Sequence, residues 1–234
     1  MERKTMEVQP RVYGQDSLPF PVIDVPREQR LMRALRKMSS DPYDSRTFSQ
    51  AKIMVPAGII LAVAFTTGFV RAVTRFSRGE NGDISEVLLT LLVAIFGYIF
   101  LANGLWRRFG VDRDKVWTRF GTVFYREVRF DEVTRFDIGT QRYKLWDGKT
   151  TVNIDYNRFD YSLAYFRIIE ELHHRRFELP GTAITDPDWE DEAQAWRNTV
   201  GGRLYAEHKK FFDTHPDALS HLNAMIQPPD CYDD

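Results

Sequence analysis

"VLLTLLVAIFGYIFLANGLW", residues 87–106, is a run of twenty uncharged positions, and "RRFGVDRDKVWTRFG", residues 107–121, follows it directly. As a helix rising about 1.5 Å per residue, the first stretch covers ~30 Å, the hydrocarbon thickness of a bilayer. The second stretch abandons helical spacing for alternation of apolar and polar residues. The switch at Trp106 therefore predicts a transmembrane helix running straight into a β-type segment. Upstream, "IMVPAGIILAVAFTTGFV", residues 53–70, is a second uncharged run of eighteen, about 27 Å as a helix. Soluble core helices seldom run so long without a charge. The reading is a transmembrane hairpin over 53–106, with helices at about 53–72 and 86–106. Fifty mostly polar residues precede it, which excludes a cleavable signal peptide. Pro56 is expected near the helix start, where proline costs least.

The mean hydropathy of −0.39 conceals these two runs, and the net charge of −1 conceals an asymmetry. Residues 1–52 carry +3, 53–106 carry 0, 107–178 carry +3 and 179–234 carry −7. A mildly basic body is thus followed by an acidic tail. Arg33, Arg36, Lys37, Arg46 and Lys52 precede the first span, and Arg107, Arg108, Arg113, Lys115 and Arg119 follow the second. The connecting loop, 71–86, holds three arginines. This bias predicts both termini in the cytoplasm and two spans in the cell membrane. The single cysteine, Cys231, excludes an internal disulfide framework and a multi-cysteine metal site. The final "CYDD" lacks the aliphatic pair of a prenylation box.

After the second span, strands are expected at 108–112 and 115–120, with a polar turn at Asp112–Asp114 and another at Gly121–Thr122. "VFYREVRF" (123–130) supplies a third strand, with Val128 and Phe130 on one face. Asp131–Glu132 bends the chain, and "VTRFDIG" (133–139) resumes the alternation. "YKLWDGKTTVNIDY" (143–156) reads as a hairpin around Asp147–Gly148 with a type I′ turn. "DYSLAYFRIIEELHHRRF" (160–177) places Leu163, Phe166, Ile169 and Leu172 at helical spacing. Asp160 is placed to cap that helix, and Arg175 and Arg176 to complement its C-terminal dipole. The fold class is a membrane α-helical hairpin plus a small α+β domain, a bent antiparallel sheet or partial barrel capped by a C-terminal helix. The expected segments are an N-terminal region 1–50, the hairpin 53–106, the sheet domain 107–178 and a helical tail 179–234.

"GVDRDKVWTRFGTVFYREVRFDEVTRFDI" (110–138), the "DG" hairpin and the polar stretch leading into the helix carry a resemblance. Over about residues 87–178 the chain resembles bacterial membrane proteins with a helical hairpin followed by a pleckstrin-homology-like (PH-like) domain, including the low-molecular-weight protein antigen type. In that family an aromatic, two acidic residues and an aliphatic recur where Phe130–Asp131–Glu132–Val133 stand here. The resemblance implies a PH-like fold and a membrane location. Its motifs mark turns and core positions, so it implies no activity.

Candidate binding residues follow from charge and aromatic placement. Trp106, Arg107 and Arg108 read as an interfacial anchor, an indole followed by guanidiniums among the headgroups. Arg113, Lys115 and Arg119 lie on the strand–turn–strand that PH domains use for phosphoinositides, opposed by Asp112 and Asp114. "PREQRLMRALRKM" (26–38) predicts a basic amphipathic helix, with Arg27, Arg30, Arg33, Arg36 and Lys37 beside Leu31, Leu35 and Met38. In the tail, Trp189, Ala193, Trp196, Val200, Leu204 and Phe211 recur near 3.6 residues, with Gly201–Gly202 expected to divide the helix. Trp189, Trp196, Phe211 and Phe212 need a cover, either the rest of the chain or a partner protein.

No phosphate-binding loop, dinucleotide fingerprint, nucleophile elbow or metalloprotease helix is present in the sequence. His208, His215 and His221 interleave with Glu207, Asp213 and Asp217 at no recognised ligand spacing, so no metal is expected. Ala64 and Gly68 give a small-xxx-small spacing for helix contact. The expected function is a non-enzymatic membrane-anchored adaptor or scaffold without cofactor. Its partners would be the lipid bilayer and proteins or further copies of itself, not nucleic acid. The alternatives are a small oligomeric transporter or channel component, with Thr66, Thr67 and Asn103 facing a wet path, or anionic-lipid sensing by the sheet domain.

Overall fold

The computed structural model describes residues 36–79, 83–139, 142–229 and 231–232. The predicted basic helix at 26–38 falls mostly outside them; of its cationic residues only Arg36 and Lys37 are described. The chain divides into two compact units. The hairpin unit comprises 47–110 and 117–126, and the sheet-and-helix unit comprises the chain up to Arg46, 111–116 and 127–234.

The hairpin unit is built on α1 (Ala51–Ser77) and α2 (Ile84–Trp106), both long and apolar enough to cross a membrane. Helix α1 begins earlier and ends later than the uncharged run, because Arg71 and Arg75 continue its last turns. Pro56 consequently lies inside the second turn rather than at the entry, where its ring removes one i→i−4 hydrogen bond. Asp83 caps α2, accepting from the Ser85 N–H at 3.2 Å and from its hydroxyl at 2.6 Å. Those two bonds hold the Asp83 carboxyl below the usual carboxylate range.

The two helices meet through glycines, though not through Ala64 and Gly68. Ala64 is exposed, and a Cβ on Gly68 would touch nothing within 4 Å. Close approach occurs instead at Gly58 and Ala62 of α1 against Ala94, Gly97 and Gly104 of α2. A Cβ on Gly58 would stand 2.8 Å from the Leu101 Cα, and one on Gly104 would stand 2.8 Å from the Met54 Cβ. Gly58→Val should therefore force the helices apart, costing about 1–3 kcal/mol. Disulfide cross-linking of cysteines placed at the buried Ala62 and Ala94 in membranes should slow markedly; unchanged cross-linking would refute the packing. Thr66 and Tyr98 share a hydrogen bond of 3.1 Å across the pair. Thr67 and Asn103 bond to their own backbones one turn back, at 2.8 and 2.9 Å.

Trp106 is the last residue of α2 and Arg107 the first of β2 (Arg107–Val111). β3 (Lys115–Phe120) and β4 (Phe124–Arg129) follow, close to the predicted limits. They form a four-stranded sheet of order β1-β2-β3-β4, whose edge strand β1 (Arg46–Phe48) is too short to show a period in the sequence.

In the sheet-and-helix unit, Phe130–Glu132 winds into a 3-10 turn at the predicted acidic bend. A second, antiparallel sheet holds β5 (Arg135–Gly139), β6 (Arg142–Trp146) and β7 (Thr151–Ile154), in that order. Its register pairs Phe136 with Leu145 and Leu145 with Val152, all buried. The Asp147–Gly148 turn is longer than predicted, because Trp146 pairs with Thr151. Four residues intervene, and Asp147 Oδ1 accepts from the N–H groups of Lys149 and Thr150 at 2.8 and 2.6 Å. Gly148 supplies the positive φ of 90°.

Helix α3 (Ser162–His174) buries nine of its side chains, too many for one amphipathic stripe. The reason is the tail. Helices α4 (Trp189–Glu207) and α6 (Pro216–Ile226), joined by the short α5 (Lys209–Thr214), pack on α3 and make it a central element. Gly201–Gly202 does not divide α4. A Cβ on Gly201 would fall 2.3 Å from Ile226 Cδ1, so glycine there admits α6. The tail predicted as a separate segment thus belongs to the same unit as the sheet. Arg175 leaves the α3 axis to donate to the Val133 carbonyl at 2.7 Å and to the Phe130 carbonyl, tying the acidic bend to the helix. The α3 C-terminus is served instead by Arg197, which donates to the Leu172 carbonyl at 2.8 Å.

Candidate functional site

Two buried polar clusters organise the sheet-and-helix unit. Asp160, Ser162 and His208 meet with less than a twentieth of each residue exposed, and their side-chain types are those of a hydrolase triad. Their wiring differs. Asp160 Oδ1 lies 2.5 Å from Ser162 Oγ, and Ser162 Oγ lies 2.6 Å from His208 Nε2. A carboxylate only accepts, so the serine gives its one proton to Asp160, and His208 Nε2 must donate to the serine oxygen. A nucleophilic serine needs the reverse polarity, with imidazole accepting its proton. Asp160 also takes the Ser39 N–H at 2.7 Å and an Arg46 guanidinium at 2.6 Å. It is a structural hub that fastens residues 39–46 to α3 and also caps that helix as predicted: its Oδ1 accepts the Ser162 N–H at 3.3 Å, although Tyr161 is the residue directly before the first turn. Burial by itself would raise the Asp160 pKa. The His208 ring 3.8 Å away and the bonds from Ser162 and Ser39 overcome it and hold the carboxyl well below the usual range.

The second cluster centres on Glu207, which takes Arg36 at 2.6 Å and Arg203 at 3.1 Å. Arg36 also donates to the Tyr156 carbonyl. Arg36, read in the sequence as one cation of a basic amphipathic helix, is a buried core cation; two guanidiniums sharing one carboxylate account for its burial. Residues 36–38 adopt no helix, and the Lys37 carbonyl accepts from Arg46 at 3.0 Å.

A cleft of about 340 Å³ opens among Tyr43, Arg113, Leu163, Phe166, Arg167, Glu170 and His221. Its floor is apolar, with Phe166 edge-on to Tyr43 at 4.7 Å and 5.5 Å from the His221 ring. Its rim carries Arg113, Arg167 and His221 against Glu170, which pairs with Arg167 and lies 3.7 Å from His221. The buried Tyr43 hydroxyl finds no hydrogen-bond partner among the described residues. Burial, with Asp41 and Glu170 nearby, pushes its pKa up to about 12, so it stays a neutral donor. The arrangement suits a ligand with an apolar body and an anionic or polar end.

The predicted site residues are thus dispersed. Arg113 joins the cleft, while Lys115 is engaged by Glu127 at 2.7 Å. Arg119 belongs to the hairpin unit with Trp106, Arg107 and Arg108, its guanidinium 6.0 Å from the Trp117 ring. Trp189 and Phe212 are buried in the chain's own core. Trp196 packs edge-on against Phe136 at 5.1 Å, and Phe211 stacks on His215 at 4.4 Å. Two of these four aromatics are therefore buried, and Trp196 and Phe211 are half-buried. His208, His215 and His221 are likewise occupied by Ser162, Phe211 and Glu170 respectively.

Sequence reasoning missed Tyr43, Phe166, Arg167, Glu170 and His221 as a group, and the hub at Asp160. The unmatched polar atom on Tyr43 and the helical spacing of Phe166 and Glu170 give no local signal of a shared cleft. Comparison of the chain with protein-family models, with curated proteins and with solved structures gave no match.

Proposed function

We propose that the protein is a membrane-anchored, non-enzymatic adaptor or scaffold. Helices α1 and α2 hold it in the cell membrane with both termini in the cytoplasm. We read the strands of the two sheets, with α3 after them in the chain, as a PH-like domain, and take the cleft beside α3 to receive part of a protein partner or of a second copy. The observation that carries the anchoring is the junction at Trp106–Arg107, where a long apolar helix becomes a sheet strand with no linker between them. The buried, closed wiring of the triad-like group Asp160, Ser162 and His208 supports the non-enzymatic reading.

A photoreactive residue in place of exposed Ser220, next to His221, tests the cleft in native membranes. The expected result is one discrete protein adduct, lost when Arg113→Glu reverses the rim charge. Irradiation that leaves only unmodified chain, or an adduct indifferent to Arg113→Glu, would count against the adaptor.

A further inference from the structure

The hairpin unit carries a surface that the anchoring reading does not use. In its segments after α2, residues 107–110 and 117–126, there are four arginines and no acidic residue. Two other strand arginines are matched: Arg129 lies within 4 Å of Asp114, Asp131 and Glu132, and Arg135 within 4 Å of Asp137 and Glu178. Arg107, Arg108, Arg119 and Arg126 have no carboxylate partner among the described residues. Arg126 lies instead 4.6 Å from the Phe124 ring, and Arg107 lies 5.2 Å from the Phe109 ring.

Between Arg119 and Arg126 the β3–β4 turn exposes apolar side chains in sequence. Val123 is 89% exposed, Tyr125 51% and Phe124 39%, with Trp106 beside them at 55%. A hydrated turn has no use for such a run, and contiguous exposed apolar surface marks a contact face. The turn is also fixed at one height. The Gly121 N–H donates to the Trp106 carbonyl at 3.1 Å, and the Trp106 and Phe120 rings sit edge to face at 6.1 Å. Gly121 reaches this position through a φ of 56°. Trp106 ends the apolar helix, so whatever depth its indole takes, the turn takes the same depth to within a hydrogen bond.

We infer that the β3–β4 turn, Phe120–Tyr125, is a second membrane contact, resting in the headgroup region of an anionic bilayer while Arg107, Arg108, Arg119 and Arg126 engage lipid phosphates. Aromatic rings with arginines stacked on them suit that zone, where one end of a side chain is apolar and the other wet. The inference rests on α1 and α2 spanning the membrane, and it names the lipid surface that the extramembrane part of the hairpin unit meets. The cations draw the turn to phosphate-rich surface, and the apolar tip gains by leaving water.

The test uses the full chain with Cys231→Ser, reconstituted in nanodiscs containing anionic lipid, with single cysteines at Val123 or Leu92 carrying an environment-sensitive dye. The expected result is a blue-shifted emission for both positions relative to the dye conjugate in buffer. Residue 92 should be quenched by lipids brominated deep in the chains, and residue 123 by lipids labelled at the headgroup. Emission from residue 123 like that in buffer, with residue 92 still in the bilayer core, would overturn the second contact and leave the anchor standing. Water-like emission from both would remove the anchor as well.

Discussion

Replacing Asp160 with alanine should lower the stability of the sheet-and-helix unit by about 3–5 kcal/mol, the usual cost of stripping one partner from a buried, hydrogen-bonded charge cluster. Asp160 receives the Ser39 N–H, an Arg46 guanidinium and the Ser162 hydroxyl, with the His208 ring at 3.8 Å. Its loss strands those donors in a site that water does not reach. The same cluster sets an acid limit. The Asp160 carboxyl is held below the ordinary value in the folded chain, and an unfolded aspartate titrates near ~3.9. A depressed folded pKa contributes stability that is complete above the unfolded value. That contribution drains away as pH falls below it towards the folded value, because the unfolded chain then binds the proton first. Equilibrium unfolding of the full chain in detergent, followed by near-UV circular dichroism, should show stability falling below about pH 4 in the native sequence. The acid slope should flatten in Asp160→Asn, which cannot titrate. Parallel acid limbs in the two proteins would show that Asp160 is not the group responsible.

The second large effect concerns the tail. Trp189 is 1% exposed, its indole N–H donates to the Phe177 carbonyl at 2.8 Å, and Arg176 lies 5.1 Å from its ring. Trp189→Ala should cost about 3–5 kcal/mol through the cavity it leaves, and ending the chain at Glu178 should cost more. Truncation uncovers the face of α3 that α4 and α6 bury, together with the Leu172 carbonyl that Arg197 serves. Limited proteolysis of membrane-embedded protein provides the check. The truncated chain should be cleaved within β5–β7 under conditions where the full chain is cut only in its exposed segments. Equal protection would mean that the sheet and α3 form a domain without the tail. If the tail is structural, loss of a partner on truncation reports unfolding rather than a recognition surface. The cleft is better probed by point substitutions at its rim.

The strands and both apolar helices are legible because each has a local period. Val128 and Phe130, or Phe136 and Leu145, announce a buried face within a few residues. What escapes are relations made across the chain. Arg36 meets the Tyr156 carbonyl at a separation of 120 residues, so its burial has no local trace, and from its neighbours it reads as one more cation on a basic helix. Gly201 looks like a helix breaker until Ile226 is seen filling the space above it. Asp160 reads as an N-cap and does accept the Ser162 N–H, but nothing beside it in the sequence shows that it also takes donors from Ser39 and Arg46. The cleft fails for the same reason. Tyr43, Arg113, Phe166 and His221 belong to four separate stretches, and only the packing of α3 and α6 gives them a common wall.

The missing linker at Trp106–Arg107 makes the end of α2 a gearing point. A helix advances about 100° and ~1.5 Å with each residue. One residue inserted before Trp106 would therefore swing β2, together with the Trp106–Phe120 ring pair, by more than a quarter turn relative to the rest of α2. For the same reason axial rotation of α2, or, in the proposed membrane anchor, the tilt by which a helix meets a thinner or thicker bilayer, is not absorbed by a slack segment. It is delivered as torque to β2, which puts the helix and the β-structure mechanically in series.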